Sequence, residues 1–506
     1  MEFFTGLASV LQPNHLILLV IGVVIGMMFG TIPGLSGITA VALLVPFSYV
    51  LGAEAAIIMM IGVYLAASCA GALAAILFNM PGDVMGAATA RDGYPLTVNG
   101  EAGRAISMSI MASAVGGFIG TVLLVLIAPQ FLRIALQFGP PEFFALALLG
   151  MTSVASLASG SVLKALIAGT FGLLLATVGL DPVSGAVRFT FGVQQLQGGV
   201  DFIPAIIGFF AVAEILHSLY RGTGTGGYSK EDVQKVNRFA FPPMADIKAT
   251  KYTMLRSAFL GNFVGMLPGA GSTVAAFLGY GTEVQMSKKA EKFGKGEIKG
   301  VVAPEAANNA AAAGSMVPLL TLGIPGGAVT AIMLGVLILN GLRPGPLLFR
   351  DAPEITYSVF GAMMVASIVV LIVGLLLVRV LLRLLTIPFE IFSTMVLVFA
   401  VVGTFAIYNR PVDLWVMFVC GILGFFAKQY EFPIAALILG LVLGTIAETG
   451  LVNGANVTRG SWNLFFTRPF TMVTLAVAVL LLLLPIVFAV QRKRKEASEP
   501  EVEPVG

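Results

Sequence analysis

The feature that most constrains this sequence is a succession of long, nearly uncharged apolar runs, such as residues 106–128 and 471–490. A run of about 20 apolar residues can cross a bilayer as a helix. Hydrophobic residues make up 58% of the 506 and charged residues 11%, with a mean hydropathy of +0.96. This composition excludes a soluble globular domain and a disordered chain, and the runs are too long and unbroken for the alternating strands of a β-barrel. We therefore predict an all-α polytopic membrane protein with about 12 (roughly 10–14) transmembrane segments.

Several classes of function are excluded at the same stage. The formal net charge of +3 gives no reason to expect a nucleic-acid partner. The two cysteines, Cys69 and Cys420, lie in apolar runs and do not form a metal cluster. The two histidines, His15 and His217, are too few for a haem or copper enzyme, and neither lies near the serine motif of a hydrolase. We predict no enzymatic activity, no catalytic residues and no cofactor.

Basic segments indicate the orientation of the chain in the membrane. The stretch 221–256 carries seven Lys or Arg residues against three acidic ones, and a basic run at 492–495 follows the last apolar segment. Lys and Arg are retained on the cytoplasmic side, so we predict a cytoplasmic linker at 221–256, an extra C-terminal transmembrane helix at 468–490, and a disordered cytoplasmic tail at 491–506. The lysines at 288–299 are expected on the same side, which favours a re-entrant or broken helix at 267–271, where the sequence reads Leu-Pro-Gly-Ala-Gly.

The apolar segments form two similar halves. The pattern Gly-x-x-x-Gly-x-x-Pro-Gly begins at Gly26 and again at Gly261, an offset of 235 residues. Three further motif pairs follow in the same order, beginning at residues 79 and 323, 140 and 388, and 169 and 421. We predict two transmembrane repeats, 15–220 and 257–450, related by inversion.

Each half carries two Pro-Gly breaks inside apolar sequence. Proline and glycine free backbone groups that hydrocarbon does not satisfy, so such breaks are tolerated only inside protein or at a watery cavity. The alternative interpretation is that each is a kink that only helps helices pack. Four breaks in matching positions, flanked by hydroxyl and amide residues, favour one polar cavity near the bilayer midplane, as in secondary transporters. The candidate substrate-binding residues are Pro33, Gly34, Ser36, Gly37, Asn79, Pro81, Gly82, Pro268, Gly269, Gly271, Ser272, Thr273, Asn308, Asn309, Pro325 and Gly326.

Several of these stretches are sequence motifs typical of one family. They are Gly-Thr-Ile-Pro-Gly-Leu-Ser-Gly at 30–37, Asn-Met-Pro-Gly-Asp at 79–83, Asp-Gly-Tyr-Pro at 92–95, Ala-Pro-Glu-Ala-Ala-Asn-Asn-Ala at 303–310 and Thr-Leu-Gly-Ile-Pro-Gly at 321–326. Over about residues 15–490 the chain resembles the large membrane subunit (TctA) of the tripartite tricarboxylate transporters.

The resemblance implies a multi-pass protein of the bacterial inner membrane that imports organic acids such as citrate, driven by an ion gradient. It implies two protein partners, a periplasmic solute-binding protein and a small four-helix membrane subunit. One departure from the family pattern leaves the identity of the transported carboxylate open. Where the family often has an aromatic residue followed by Gly-Gly-Ser, this chain reads Cys-Ala-Gly-Ala at 69–72. A carrier that needs no binding protein, and a channel, remain as alternatives.

The anionic substrate raises the question of charge. No Lys or Arg lies within the four breaks, so a carboxylate would rest on helix N-termini and neutral donors, accompanied by a cation. Moving one charge against 100 mV costs about 2.3 kcal/mol, which a co-transported cation offsets. We favour Na⁺, because unwound Pro-Gly loops expose carbonyls. The alternative is H⁺, which needs a titratable group. The candidate ion-coupling residues are Asp83, Glu305 and Thr321.

Overall fold

The computed structural model describes residues 2–32, 34–80, 83–157, 161–181, 184–222, 241–269, 271–385 and 387–496. Three predicted site residues, Pro33, Pro81 and Gly82, lie outside the described residues. So do 223–240 of the predicted linker and 497–506 of the predicted tail.

The first half is helical except for one short hairpin. Its elements are α1 (Glu2–Val10), α2 (Pro13–Thr31), α3 (Gly37–Leu51), α4 (Ala53–Phe78), α5 (Gly86–Val98), α6 (Ala102–Ala135), α7 (Pro140–Leu157), α8 (Val162–Ala176), β1 (Gly179–Leu180), β2 (Val187–Arg188), a 3₁₀ turn (Gln194–Gly198), α9 (Phe202–Ile206), a π-helical segment (Ile207–Val212) and α10 (Ala213–Arg221). The two strands pair antiparallel, with Gly179 opposite Arg188.

The second half is helical, with no strand among its described residues. Its elements are α11 (Met244–Gly265), α12 (Gly271–Met286), a 3₁₀ turn (Ala290–Lys292), α13 (Ile298–Gly314), α14 (Met316–Leu322), α15 (Ala328–Leu339), α16 (Leu348–Asp351), α17 (Pro353–Leu384), α18 (Phe389–Tyr408), α19 (Pro411–Gln429), α20 (Ile434–Val457), α21 (Trp462–Phe466) and α22 (Pro469–Glu496).

Among the described residues, eight helices are long and apolar enough to cross a membrane: α2, α4, α6, the continuous α9–α10 span, α17, α18, α19 and α20. Four shorter apolar helices accompany them: α3, α8, α15 and the first part of α22. The predicted class, an all-α polytopic membrane protein, is confirmed.

Local sequence explains where many of these helices begin and end. A proline occupies the first position of α2, α17 and α19, where its missing N–H costs nothing. Asn79, which follows α4, and Gly323, which follows α14, adopt the left-handed conformation (φ 55° and 71°) that commonly terminates a helix. Both of these terminators lie at predicted Pro-Gly breaks.

The centre of the molecule is formed by α4 and α13, which the motif alignment pairs as equivalent helices of the two predicted repeats. Every residue of α13 except Lys299 is buried, and α4 is buried from Ala56 to Leu77. The Asn308 side-chain amide donates to the Ser68 carbonyl at 3.1 Å, whereas the Tyr64 hydroxyl lies 3.5 Å from Ser315 Oγ. Residue numbers thus rise along one helix as they fall along the other, so the two equivalent helices run in opposite directions.

The packing register of the two halves matches the motif register. A Cβ on Gly30 would lie 2.5 Å from the Ala67 carbonyl oxygen, and a Cβ on Gly265 would lie 2.7 Å from Ala311 Cα. In both halves only glycine permits this approach of α2 to α4, or of α11 to α13. The partners Ala67 and Ala311 are 244 residues apart in the sequence, as are Asn79 and Gly323 at the second and fourth breaks. The same offset of 244 residues therefore aligns the helix contacts of the two halves and their later Pro-Gly motifs.

Packing between the halves is reciprocal. α6 packs against α13 and α17 against α4; likewise α8 packs against α20, and α19 against the α9–α10 span. Two ion pairs also join the halves, one in each direction. Lys428 of the second half pairs with Glu214 of the first, and Arg188 of the first half pairs with Glu448 of the second. An approximate two-fold relation between the halves produces such an exchange. Inversion with respect to a membrane stays a prediction.

The second half begins earlier than the apolar pattern indicates. α11 starts at Met244, inside the predicted linker, and Asp246 in its first turn is buried, where Arg104 of α6 donates to both of its carboxylate oxygens, at 2.6 and 2.7 Å. The apolar stretch at the start of the predicted second repeat, residues 257–281, is divided between α11 and α12. The break predicted at 267–271 is thus present, in the form of two separate helices.

Two buried carboxylates, Asp92 and Glu142, connect helices to sequence-distant segments through hydrogen bonds. Asp92 of α5 accepts N–H bonds of 2.8–3.0 Å from residues 294, 296 and 297, which precede α13. Glu142 of α7 accepts from Arg468 at 2.6 Å and from Thr471 at 3.0 Å, which holds the start of α22. Each carboxylate is at most 1% exposed.

Candidate functional site

The two breaks of the second half lie against each other. The Gly269 N–H, in the break between α11 and α12, donates to the Gly326 carbonyl in the break between α14 and α15, at 3.0 Å. Gly269 has φ +80°, a conformation that favours glycine. A Cβ on Gly326 would lie 2.7 Å from the Ser315 Cβ and 3.0 Å from the Gly265 carbonyl oxygen. The structure therefore joins the predicted residues of these two breaks, including Pro268 and Pro325, into one irregular region.

The first half shows the same plan with different side chains. Ser36 caps α3 by accepting the Thr39 N–H at 3.3 Å, and Gly34 before it has φ +88°. At the next break, Asp83 accepts the Gly86 N–H at 2.9 Å and so caps α5. A Cβ on Gly71 would lie 2.6 Å from the Asp83 carboxylate. By the offset of 244, Gly71 is equivalent to Ser315, so the second break packs against α4 as the fourth packs against the end of α13.

Three hydroxyls gather beside the second-half breaks. Ser272 begins α12, Ser315 lies between α13 and α14, and Tyr64 extends from α4 towards both. The Ser272 Oγ is close enough to the Tyr64 hydroxyl to interact with it but makes no hydrogen bond of normal geometry. Tyr64 was not predicted. The available signal was a single phenol inside an otherwise apolar run.

Buried carboxamides lie on the helices that lead into these breaks. Asn308 and Asn309 are each 1% exposed, and Asn262 of α11 is fully buried. The Asn262 amide donates to the Gly120 carbonyl at 3.0 Å. No hydrogen-bond partner within the described residues reaches Asn262 Oδ1, Asn308 Oδ1 or Asn309 Nδ2. Because a buried polar atom without a partner is costly, these atoms indicate a place that a polar ligand or water completes.

Not every predicted residue joins this region. The Thr321 hydroxyl donates to the Val317 carbonyl of its own helix at 2.7 Å. Its O–H is therefore not free to donate to a ligand. Asn79 has an exposed side chain at the end of α4. Gly37 packs against Ala67, and Thr273 is half-buried beside Gly271, which has open space where a side chain would be.

Glu305 lies one helical turn before Asn308 on α13. Its carboxylate accepts the Thr89 hydroxyl of α5 at 2.6 Å and the Ser113 hydroxyl of α6 at 2.8 Å. Neither hydroxyl was predicted, because each belongs to a sequence-distant helix. Within the described ranges, no ion pair includes a residue of the four breaks or Glu305.

A separate cavity of about 490 Å³ lies at the far end of α15. Its walls come from α8, α9, α15 and α20, and its polar groups include Arg188, Asp201, Tyr408 and Glu448. The hairpin β1–β2 supplies Arg188, whose guanidinium binds Glu448 at 2.5 Å. This cavity contains none of the predicted substrate-binding residues.

The sequence model described as the tripartite tricarboxylate transporter TctA family matches residues 16–439. The chain belongs to this family. The match runs from α2 into α20 and spans all four breaks. This TctA family member is therefore a multi-pass membrane protein of a transporter family, as the eight long apolar helices in the described part of the chain also indicate.

Two proteins of Agrobacterium vitis are similar to this TctA family member. An "Uncharacterized 52.8 kDa protein in TAR-I ttuC' 3'region" is 36% identical over 489 residues, which are 97% of this chain and 96% of the relative. An "Uncharacterized protein in TAR-II ttuC' 3'region" is 35% identical over 236 residues, 47% of this chain and 98% of the relative. No solved structure matches the chain.

Proposed function

We propose that this chain is the large membrane subunit of a binding-protein-dependent secondary transporter. It imports a di- or tricarboxylate, a citrate-like organic acid, by symport with Na⁺ or H⁺. The observation that carries the proposal is the set of neutral polar groups at the paired helix interruptions and on the helices that lead into them: three buried carboxamides with unpartnered atoms and three hydroxyls. Neutral donors and helix N-termini suit a carboxylate, and the absence of ion pairs there in the described ranges leaves its charge for a cation to balance.

The family match supports the proposed partners and location without fixing them in detail. A tripartite system supports a periplasmic solute-binding protein and a small four-helix membrane subunit as partners, with this chain in the bacterial inner membrane. The basic run at 492–495 supports a cytoplasmic C-terminus. We place the substrate near the bilayer midplane between two inverted repeats, 15–220 and 257–450, because equivalent helices α4 and α13 run in opposite directions at the centre.

The direct test is uptake into proteoliposomes that contain this chain and the small subunit. Radiolabelled citrate, succinate and malate are supplied with and without the binding protein, under a Na⁺ gradient, a pH gradient or neither. We expect accumulation of at least one of them that needs the binding protein and one gradient. Accumulation without the binding protein would support the independent carrier instead. Gradient-independent equilibration of all three would support a channel.

Alanine variants locate the substrate site. Ser272→Ala is the sharpest, because the lost hydroxyl makes no hydrogen bond of normal geometry and its removal should cost little stability. Asn309→Ala removes an amide nitrogen that has no partner in the described part of the chain. Both should lower uptake without lowering the amount of folded protein. Asn456→Ala, at an exposed position of α20, is the matched control and should transport normally. Normal uptake by both site variants would refute the location.

A further inference from the structure

Glu305 is a buried carboxylate with no positive partner. It is 1% exposed, and within the described residues it forms no ion pair with Lys, Arg or His. The other deeply buried glutamates differ in this respect: Glu142 pairs with Arg468, and Glu283 pairs with Arg256. A buried unpaired negative charge is costly, so Glu305 requires a proton or another cation in at least part of any working cycle.

The contacts of Glu305 are hydrogen bonds to two hydroxyls, with no metal-sized gap between the oxygens. Thr89 donates to one carboxylate oxygen at 2.6 Å and Ser113 donates to the other at 2.8 Å. These are the separations of O–H···O hydrogen bonds, the shorter one within the range of charge-assisted bonds. A metal ion bound between a hydroxyl oxygen and its carboxylate oxygen would lie roughly 2.3–2.6 Å from each. The two oxygens would then be further apart than they are here.

The titratable groups around Glu305 are few. Asp83, before α5, is close enough for its charge to act on Glu305, and the Cys69 thiol of α4 lies beside both Glu305 and Ser113. Nearer the start of α13, Asp92 is already bound by the Tyr280 hydroxyl and by backbone N–H groups. Glu305 and Asp83 thus form a carboxyl pair whose charges act on each other, and neither forms an ion pair with a base among the described residues.

This carboxyl pair is linked to the breaks. Asp83 follows the second break directly and caps α5, and Thr89 on the same helix binds Glu305. Glu305 precedes Asn308 by three residues, one turn of α13. Protonation of Glu305 converts one carboxylate oxygen into an O–H donor and a weaker acceptor, which changes the hydrogen bond that Thr89 or Ser113 makes to that oxygen. The protonation state therefore acts on the position of α5 and on the helix that carries the carboxamides.

We propose that Glu305 is the residue that carries the co-transported proton. The inference rests on the proposed function and deepens it by selecting H⁺ and one residue. On the outer side the Glu305 carboxylate takes a proton from water and becomes a neutral acid; on the inner side the O–H bond breaks and the proton returns to water. Each proton carried inward with the substrate offsets one negative charge of the carboxylate.

The test separates net transport from exchange. Proteoliposomes with the complete transporter accumulate labelled citrate, succinate or malate under a gradient of one pH unit, which supports about a tenfold accumulation per proton. Exchange of internal for external substrate at equal pH needs no release of the proton. We expect Glu305→Gln, which has nearly the same shape, to lose the pH-driven accumulation and to retain exchange. Glu305→Asp, which keeps a titratable group, should recover part of the accumulation.

Glu283→Gln is the matched control, since it removes another buried carboxylate charge from a helix but one that is paired with Arg256. It should remain coupled to the pH gradient. Retained pH-driven accumulation in Glu305→Gln would overturn the assignment of Glu305. So would wild-type accumulation that follows Na⁺ and ignores pH. Failure of the wild-type transporter to take up any of the three carboxylates would instead count against the proposed function.

Discussion

Replacing Gly265 by alanine tests whether the close approach of α11 to α13 sets the geometry of the Pro-Gly breaks. The added Cβ would lie 2.7 Å from Ala311 Cα and 2.8 Å from its carbonyl carbon, with the carbonyl oxygen closer still. Ordinary contact begins at 3.4 Å, so the helices must separate by at least 0.7 Å, the difference between 3.4 and 2.7. All three clashing atoms belong to the backbone, so no side-chain rotation relieves the contact.

The expected cost follows from two opposing effects. Overpacking costs about 1–3 kcal/mol, and alanine regains roughly 0.5–1 kcal/mol over glycine inside a helix. Taking the middle of each range, the net loss for Gly265→Ala is about 1 kcal/mol. We also expect reduced uptake, because the Gly265 carbonyl oxygen lies beside Gly326 of the fourth break. Gly30→Ala, at the equivalent position of the first half, should destabilise in the same direction.

The assay is thermal unfolding of purified protein in detergent, followed by size-exclusion chromatography at one fixed heating rate. One kcal/mol shifts the midpoint by about 2–4 °C in domains of 150–250 residues, so we expect a fall of a few degrees. Gly281→Ala in α12 is the control, since nothing lies within 4 Å of its added Cβ, and it should be neutral or slightly stabilising. A midpoint for Gly265→Ala at or above wild type, or an equal loss in Gly281→Ala, would refute the reasoning.

Three further substitutions test the polar fastenings. Asp92→Asn removes the charge from a carboxylate bound by three N–H groups, and hydrogen bonds to charged groups contribute about 1.5–3 kcal/mol each, so the unfolding midpoint should fall; an unchanged midpoint would contradict the fastening. Arg468→Ala leaves Glu142 buried without its cation, and limited proteolysis should then release α22 faster than in wild type. Exchanging Lys428 and Glu214, which form no second ion pair among the described residues, should restore the stability lost on reversing either charge alone, by about 1 kcal/mol because both are partly exposed; a double variant no better than the singles would argue against the pair.

The sequence alone determined the class of the protein and the positions of its irregular regions. In an apolar run of about 20 residues inside a bilayer, the backbone must form its hydrogen bonds within a helix, because hydrocarbon offers no other partners. This holds independently of the rest of the chain. The Pro-Gly pairs are equally local in effect, since proline removes a donor and glycine permits a positive φ at the same place in any packing. For that reason the breaks between α2 and α3, and between α11 and α12, lie where the motifs predict them.

Only the tertiary structure decided which side chains meet. Glu305 and its donors Thr89 and Ser113 are 216 and 192 residues apart, and no local pattern relates them. Thr321 has the right residue type beside a break, yet its hydroxyl is used within its own helix. The start of α11 was likewise hidden, because its polar residues look like linker until Arg104 of a distant helix neutralises Asp246. Helix formation and interruption depend on neighbours within one turn, whereas charge balance and hydrogen-bond partners depend on segments brought together by packing.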